Sequence, residues 1–144
     1  MSRSIATLII ISSLLYGCGQ AETPIAPPDF QEKSIVTATS ATPVKTYTLE
    51  DGHGIEFMAF PTASIEFRNN PERINISLYL SEDDKAKNEQ AISIVKSLAS
   101  KITGTNGEIV DDAINGNITG KKVINGIATN VSASDQSILI TFYK

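Results

Sequence analysis

The chain has 144 residues, enough for one domain of ordinary size, and its formal charge of −4 comes from acids and bases mixed along its length. No basic run is longer than Lys121-Lys122, so the clustered cations that phosphate backbones require are missing and nucleic acid is not an expected partner. Apolar residues make up 41%, which suits a folded core, while a 6% aromatic share without tryptophan speaks against a stacking platform for sugars or bases.

At the N-terminus, Arg3 precedes an almost unbroken apolar run from Ile5 to Tyr16. About twelve residues are too few for a hydrocarbon core that needs roughly twenty, so the run reads as the apolar part of an export signal. It ends in Leu15-Tyr16-Gly17-Cys18, and Cys18 is the single cysteine of the chain. This tetrad resembles the lipobox of bacterial lipoproteins: a branched aliphatic residue, a variable one, a small one, then cysteine. Tyr16 is bulkier than the Ala or Ser usual at its place. The resemblance implies that residues 1–17 are a signal peptide, cut between Gly17 and Cys18. It also implies that the Cys18 thiol carries a diacylglyceryl group, which is the chain's route to the membrane. In enteric bacteria an acidic residue after the cysteine tends to retain a lipoprotein in the inner membrane. Gly19 stands there, so the resemblance favours the outer membrane of the cell envelope. With the one thiol acylated, no disulfide is expected, and the exported domain must be held by its core.

Residues 18–45 contain Pro24, Pro27, Pro28 and Pro43, many small polar residues and few large apolar ones. Such a stretch buries too little surface to offset its ordering entropy and is expected to be a flexible tether. As a coil it would span about 25–30 Å, and about 80 Å drawn out, lifting the domain off the membrane.

A single domain is expected over residues 46–144. "TYTLE" alternates from Thr46, and Asp51-Gly52-His53-Gly54 reads as a turn. "IEFMAF" and "SIEF" follow as strands around Pro61-Thr62. "RINISLYL" is the cleanest strand, with Ile74, Ile76, Leu78 and Leu80 on one face and Asn75, Ser77 and Tyr79 on the other. The period then changes. Ser81 is a good N-cap, Glu82, Asp83 and Asp84 suit a first turn, and Ala91, Ile94, Val95, Leu98 and Ile102 recur at helical spacing up to Gly104. A helix over about 82–102 is expected.

Beyond it, Asn-Gly pairs stand at 106–107, 115–116 and 125–126. The last lies between "KKVI" and "IATNV", where Asn-Gly suits a type I′ hairpin turn. "QSILITFY" closes the chain with Ile138, Ile140 and Phe142 on one face. The expected fold is α+β: an antiparallel β-sheet of about six to eight strands, with one long amphipathic helix packed on one face. The order of the strands does not follow from the sequence.

His53 is the only histidine, and with Asp51 it is the one candidate for ligand binding or proton transfer. A polar turn between strands accounts for both residues equally well. No Gly-x-Ser-x-Gly elbow supplies a nucleophile, and no glycine-rich phosphate loop occurs. The segment from Asp111 places Asp111, Asn115 and Gly116 as in a calcium loop. It has Ala113 at the third position and Lys122 at the twelfth, where the bidentate acid belongs. No metal, cofactor or catalytic residue is therefore assigned. The sequons at Asn75, Asn117 and Asn130 read as strand and turn residues in a bacterial chain. The sequence points to a binding or accessory domain. It would dock on another envelope protein through a sheet edge or the outer face near Tyr79 and Tyr143. The alternative is capture of a soluble ligand or inhibition of an exogenous enzyme such as a lysozyme. A hydrolase or metal-binding protein built on His53 is the weaker reading.

Overall fold

The computed structural model describes residues 22–49 and 52–144, so Gly17, Cys18 and Asp51 lie outside the described residues. Seven strands form one antiparallel sheet: β1 (Thr42–Leu49), β2 (Gly52–Phe60), β3 (Ala63–Arg68), β4 (Arg73–Tyr79), β5 (Gly120–Ile124), β6 (Ile127–Ala133) and β7 (Ser137–Tyr143). Their spatial order is β1-β2-β3-β4-β7-β6-β5. Each half is a meander of consecutive strands. The two halves meet where β4 pairs with β7, with Ile74 opposite Phe142, Ile76 opposite Ile140 and Leu78 opposite Ile138.

Alternation decides the two faces. Ala63, Ile65 and Phe67 of β3 lie opposite Leu78, Ile76 and Ile74 and are buried with them. Phe57 of β2 packs edge-on against Phe67 at 5.9 Å between ring centres. Between β4 and β5 the chain makes two helices, α2 (Lys85–Thr103) and α3 (Glu108–Ile114). The stripe Ala91, Val95, Leu98 and Ile102 of α2 is fully buried, and the helix packs over β2 and β4 while α3 packs on β6. The expected long helix is thus present, accompanied by two short ones.

Its start differs from the expectation. Asp84, not Ser81, is the N-cap, its carboxylate accepting from the Lys87 N–H at 2.9 Å. Ser81 is kept out of the helix by Asn88. The Asn88 amide donates to the Ser81 carbonyl at 2.7 Å, and its oxygen accepts from the Ser81 N–H at 2.8 Å. The first two Asn-Gly pairs flank α3: Gly107 is its N-cap and Asn115 its C-cap. The third behaves as read. Asn125 and Gly126 have φ of 47° and 79°, the positive pair of a type I′ turn joining β5 to β6.

The largest correction concerns the tether. Residues 22–41, expected as coil, lie docked on the domain, and β1 begins at Thr42 rather than Thr46. α1 (Glu32–Thr39) inserts Ile35 fully into the core, against α2. Upstream, the backbone is clasped to the end of α2. The N–H groups of Ile25 and Ala26 donate to the Gly104 carbonyl at 2.7 and 3.1 Å, and that of Asp29 to the Ile102 carbonyl at 3.0 Å. These are carbonyls a helix leaves unpaired at its C-terminus, so a proline-rich strand can satisfy them without being apolar itself. The Asn125 side chain donates to the carbonyls of both Ala26 and Thr103, tying the hairpin turn to the same point. Glu22 is buried, its carboxylate accepting from the Thr105 hydroxyl.

Gly104 is the node of this clasp. Its φ of 67° closes α2, and a Cβ there would stand 2.0 Å from the Ala26 carbonyl oxygen. Gly104→Ala combines a strained backbone, about 1–3 kcal/mol, with that clash. It should lower the thermal midpoint and expose Lys33 to trypsin faster than in the parent.

Asp29 secures the next step. Its carboxylate accepts from the Gln31 N–H at 2.8 Å and the Ser34 hydroxyl at 2.6 Å, with the Lys101 ammonium at 3.4 Å. Burial pushes the Asp29 carboxyl up, but the Ser34 and Gln31 hydrogen bonds and Lys101 outweigh it and hold the group below its ordinary value. A carboxyl depressed in the folded state stabilises above its unfolded pKa and loses that contribution as pH falls through the folded value. The hold on α1 is therefore complete at neutral pH and weakens only below about pH 4. The Gln31 amide proton resonance should move in that acid range, and Asp29→Asn should abolish the movement.

Candidate functional site

Among the described residues, the helices cover one face of the sheet and leave the other uncovered. The uncovered face carries the residues that alternate outward, and their registry builds a groove. Across the sheet, Ser132, Leu139, Ser77, Ser64 and Met58 lie opposite one another in succession on β6, β7, β4, β3 and β2. Two serines at the centre leave a trough, and Leu139 and Met58 stand as its walls. Tyr79, two residues beyond Ser77 on the same face, rises at one end beside Phe60-Pro61-Thr62. Val44, at the bulge of β1 between Pro43 and Lys45, extends the wall on the outer side. The hollow measures about 660 Å³.

Val44, Met58, Tyr79 and Leu139 are 42–55% exposed. Large side chains half in water on one sheet face are not needed by the core, since Ile65, Ile76 and Ile140 already fill the opposite face. Polar groups frame them. The Tyr79 hydroxyl meets Gln136, whose amide donates to Glu82 at 2.6 Å. Toward the other end of the trough, Glu66 accepts from the Asn75 amide at 2.8 Å and pairs with Arg68 at 2.8 Å. Glu66 and Arg68 are thus engaged with neighbours, and Glu56 of β2 is the one carboxylate among the described residues that lines the trough itself. The arrangement offers apolar contact and hydroxyl groups, and no group held in place for proton transfer.

The residues singled out in the sequence fall elsewhere. His53 is the second residue of β2 rather than part of the turn, since pairing already runs through Gly52 opposite Leu49 and His53 opposite Thr48. It is exposed, and its N–H donates to the Asn69 side chain at 2.6 Å. A second hollow of about 460 Å³ includes it with Phe30, Glu72 and Arg73. Among the described residues no three histidines, cysteines or carboxylates converge as metal ligands. Asp111 and Asp112 of the calcium-like segment sit on α3 and pair with Lys96 at 2.5 Å and Lys122 at 3.8 Å. Tyr79 and Tyr143, read as neighbours on an outer face, share that face but occupy opposite ends of it. Tyr79 pairs with Ser137 at the start of β7, and Tyr143 is the last residue of that strand.

Comparison of the chain with protein-family models, curated proteins and solved structures finds no match. The groove residues that sequence reasoning passed over left one signal. In "SILITFY" and "IEFMAF" apolar residues occupy the outward positions too, where strict alternation would place polar ones.

The walls should be separable from the core by stability. Leu139→Ser is expected to change the unfolding free energy by less than about 0.5 kcal/mol, as for a surface site. Its buried neighbour Ile138→Ala should cost about 2–5 kcal/mol. Urea denaturation of the two variants checks the contrast.

Proposed function

We propose that this chain is a bacterial envelope lipoprotein, anchored through a lipid on Cys18 with the outer membrane favoured. Its domain docks on another envelope protein through the uncovered face of the sheet, without catalysis. The reading of location rests on Arg3, the apolar run and Leu15-Tyr16-Gly17-Cys18. The reading of activity is carried by one observation: four half-exposed apolar side chains wall the groove, and among the described residues no helix residue lines it.

Protein contact suits this surface better than capture of a small molecule. A small-ligand site buries most of its ligand and directs a few polar groups inward. Here the walls stand half in solvent, the serines lie in a line across the strands, and Glu66 and Arg68 are engaged with each other. Tyrosine and methionine are among the residue types enriched in protein interfaces.

A photoreactive residue at Ser77, in living cells, should give one dominant adduct with an envelope protein, and Cys18→Ala should abolish it. The same probe at Ser97, exposed on the outer side of α2, should give none. Equal adducts from both positions, or none from Ser77, would sink the docking reading and turn attention to soluble ligands.

A further inference from the structure

The distance between the anchor and the domain is much shorter than a tether of residues 18–45 would give. Cys18 and the docked Glu22 are separated by three residues, four Cα steps, or at most about 14 Å of chain. From Glu22 onward the backbone is committed, through the Thr105 hydroxyl and then the Gly104 and Ile102 carbonyls. The chain therefore leaves the domain at one defined end, formed by the C-terminus of α2 and the Asn125-Gly126 turn.

That end has the surface a lipid headgroup layer accepts. Ile25 and Val123 are 61% and 68% exposed, the two most exposed large apolar side chains among the described residues. They flank the Asn125 turn, whose side chain bonds the Ala26 carbonyl. Residues 23–28 carry no charge, and the Glu22 charge beside them is buried. Exposed apolar side chains gain by entering the interfacial region, and the cations nearby, Lys121 and Lys122 beside Val123 and Lys144 beside the turn, suit an anionic headgroup layer.

Given the lipid on Cys18 of the preceding reading, we propose that the domain sits directly on the membrane. Its Ile25–Val123 end rests against the headgroups and its groove is turned away. The polarity follows from the strands and α2. β7 begins beside the groove at Ser137 and ends at Tyr143, and β4 runs the opposite way. α2, 19 residues and about 28 Å long, runs from the groove end to the anchored end. The trough row at Leu139 thus lies four residues, about 14 Å, along β7 from Tyr143 at the membrane end, within reach of a partner standing in the same membrane.

The test uses the acylated full-length protein in phosphatidylethanolamine–phosphatidylglycerol vesicles doped with a headgroup-nitroxide lipid. A fluorophore is placed through Asn106→Cys, next to Thr105, or through Asp135→Cys, in the turn between β6 and β7. Both positions are exposed, and Cys18 is already blocked by its lipid. Quenching should be several-fold stronger at position 106. Inserting about twelve Gly/Ser residues between Ala21 and Glu22 adds about 20 Å of coil and should reduce that difference. Ile25→Glu should reduce it as well. Equal quenching at the two positions in protein of acylated mass would overturn the seating while leaving the lipoprotein reading intact. A difference unmoved by the insertion would overturn the role of the short link. A mature protein without acyl mass on Cys18 would overturn both readings.

Discussion

The pairing of β4 with β7 is the constraint on which the rest of the molecule depends. It joins two meanders that are separated in sequence by the whole helical excursion, and it places Ile74, Ile76 and Leu78 against Phe142, Ile140 and Ile138. The same register fixes the reverse side, because side chains alternate. With Ile76 opposite Ile140, Ser77 must stand opposite Leu139. Core and groove are two faces of one pairing. A slip of one residue would bury the serines and expose the isoleucines, so the energy that holds the core also holds the shape of the site.

This division explains why the fold was largely legible in the sequence and the site was not. Alternation in "RINISLYL" and "SILITFY" reports burial on one face, and the stripe from Ala91 to Ile102 reports the helix that covers it. The seven strands and the Asn125-Gly126 hairpin follow from such local signals. Strand order does not, because nothing local distinguishes β7 beside β4 from β7 at an edge. Helix α3 has seven residues, just under two turns, and leaves almost no period to detect. The start of α2 turned on a competition between two good caps, settled by the Asn88 side chain seven residues on.

The N-terminal segment was misread for a different reason. Composition measures what a stretch can bury of itself, and residues 22–41 offer only Ile35 and Ala41 to the core, with Phe30 and Val36 packed against it. What composition does not register is the demand of another element. The end of α2 has carbonyls to satisfy, and the extended run ahead of α1 supplies N–H groups at Ile25, Ala26 and Asp29. Gly104 permits the approach by lacking a side chain. Polar satisfaction here supplements the few apolar side chains around Ile35. His53 is the converse case: a residue conspicuous for its chemistry whose backbone is occupied with strand pairing and with Asn69.

The sheet is open, and its two edges are unlike its centre. β1 has Pro43 where a ladder donor would be, a bulge before Lys45 and an exposed outer side, while β5 is five residues long and carries Lys121 and Lys122. These features discourage strand addition by a second copy. For molecules confined to a surface and held in one orientation, edges of neighbouring copies would meet side by side at far higher frequency than in free solution. Resistance to lateral polymerisation is then a property of the fold's periphery, and it leaves the groove open to be matched by a different chain.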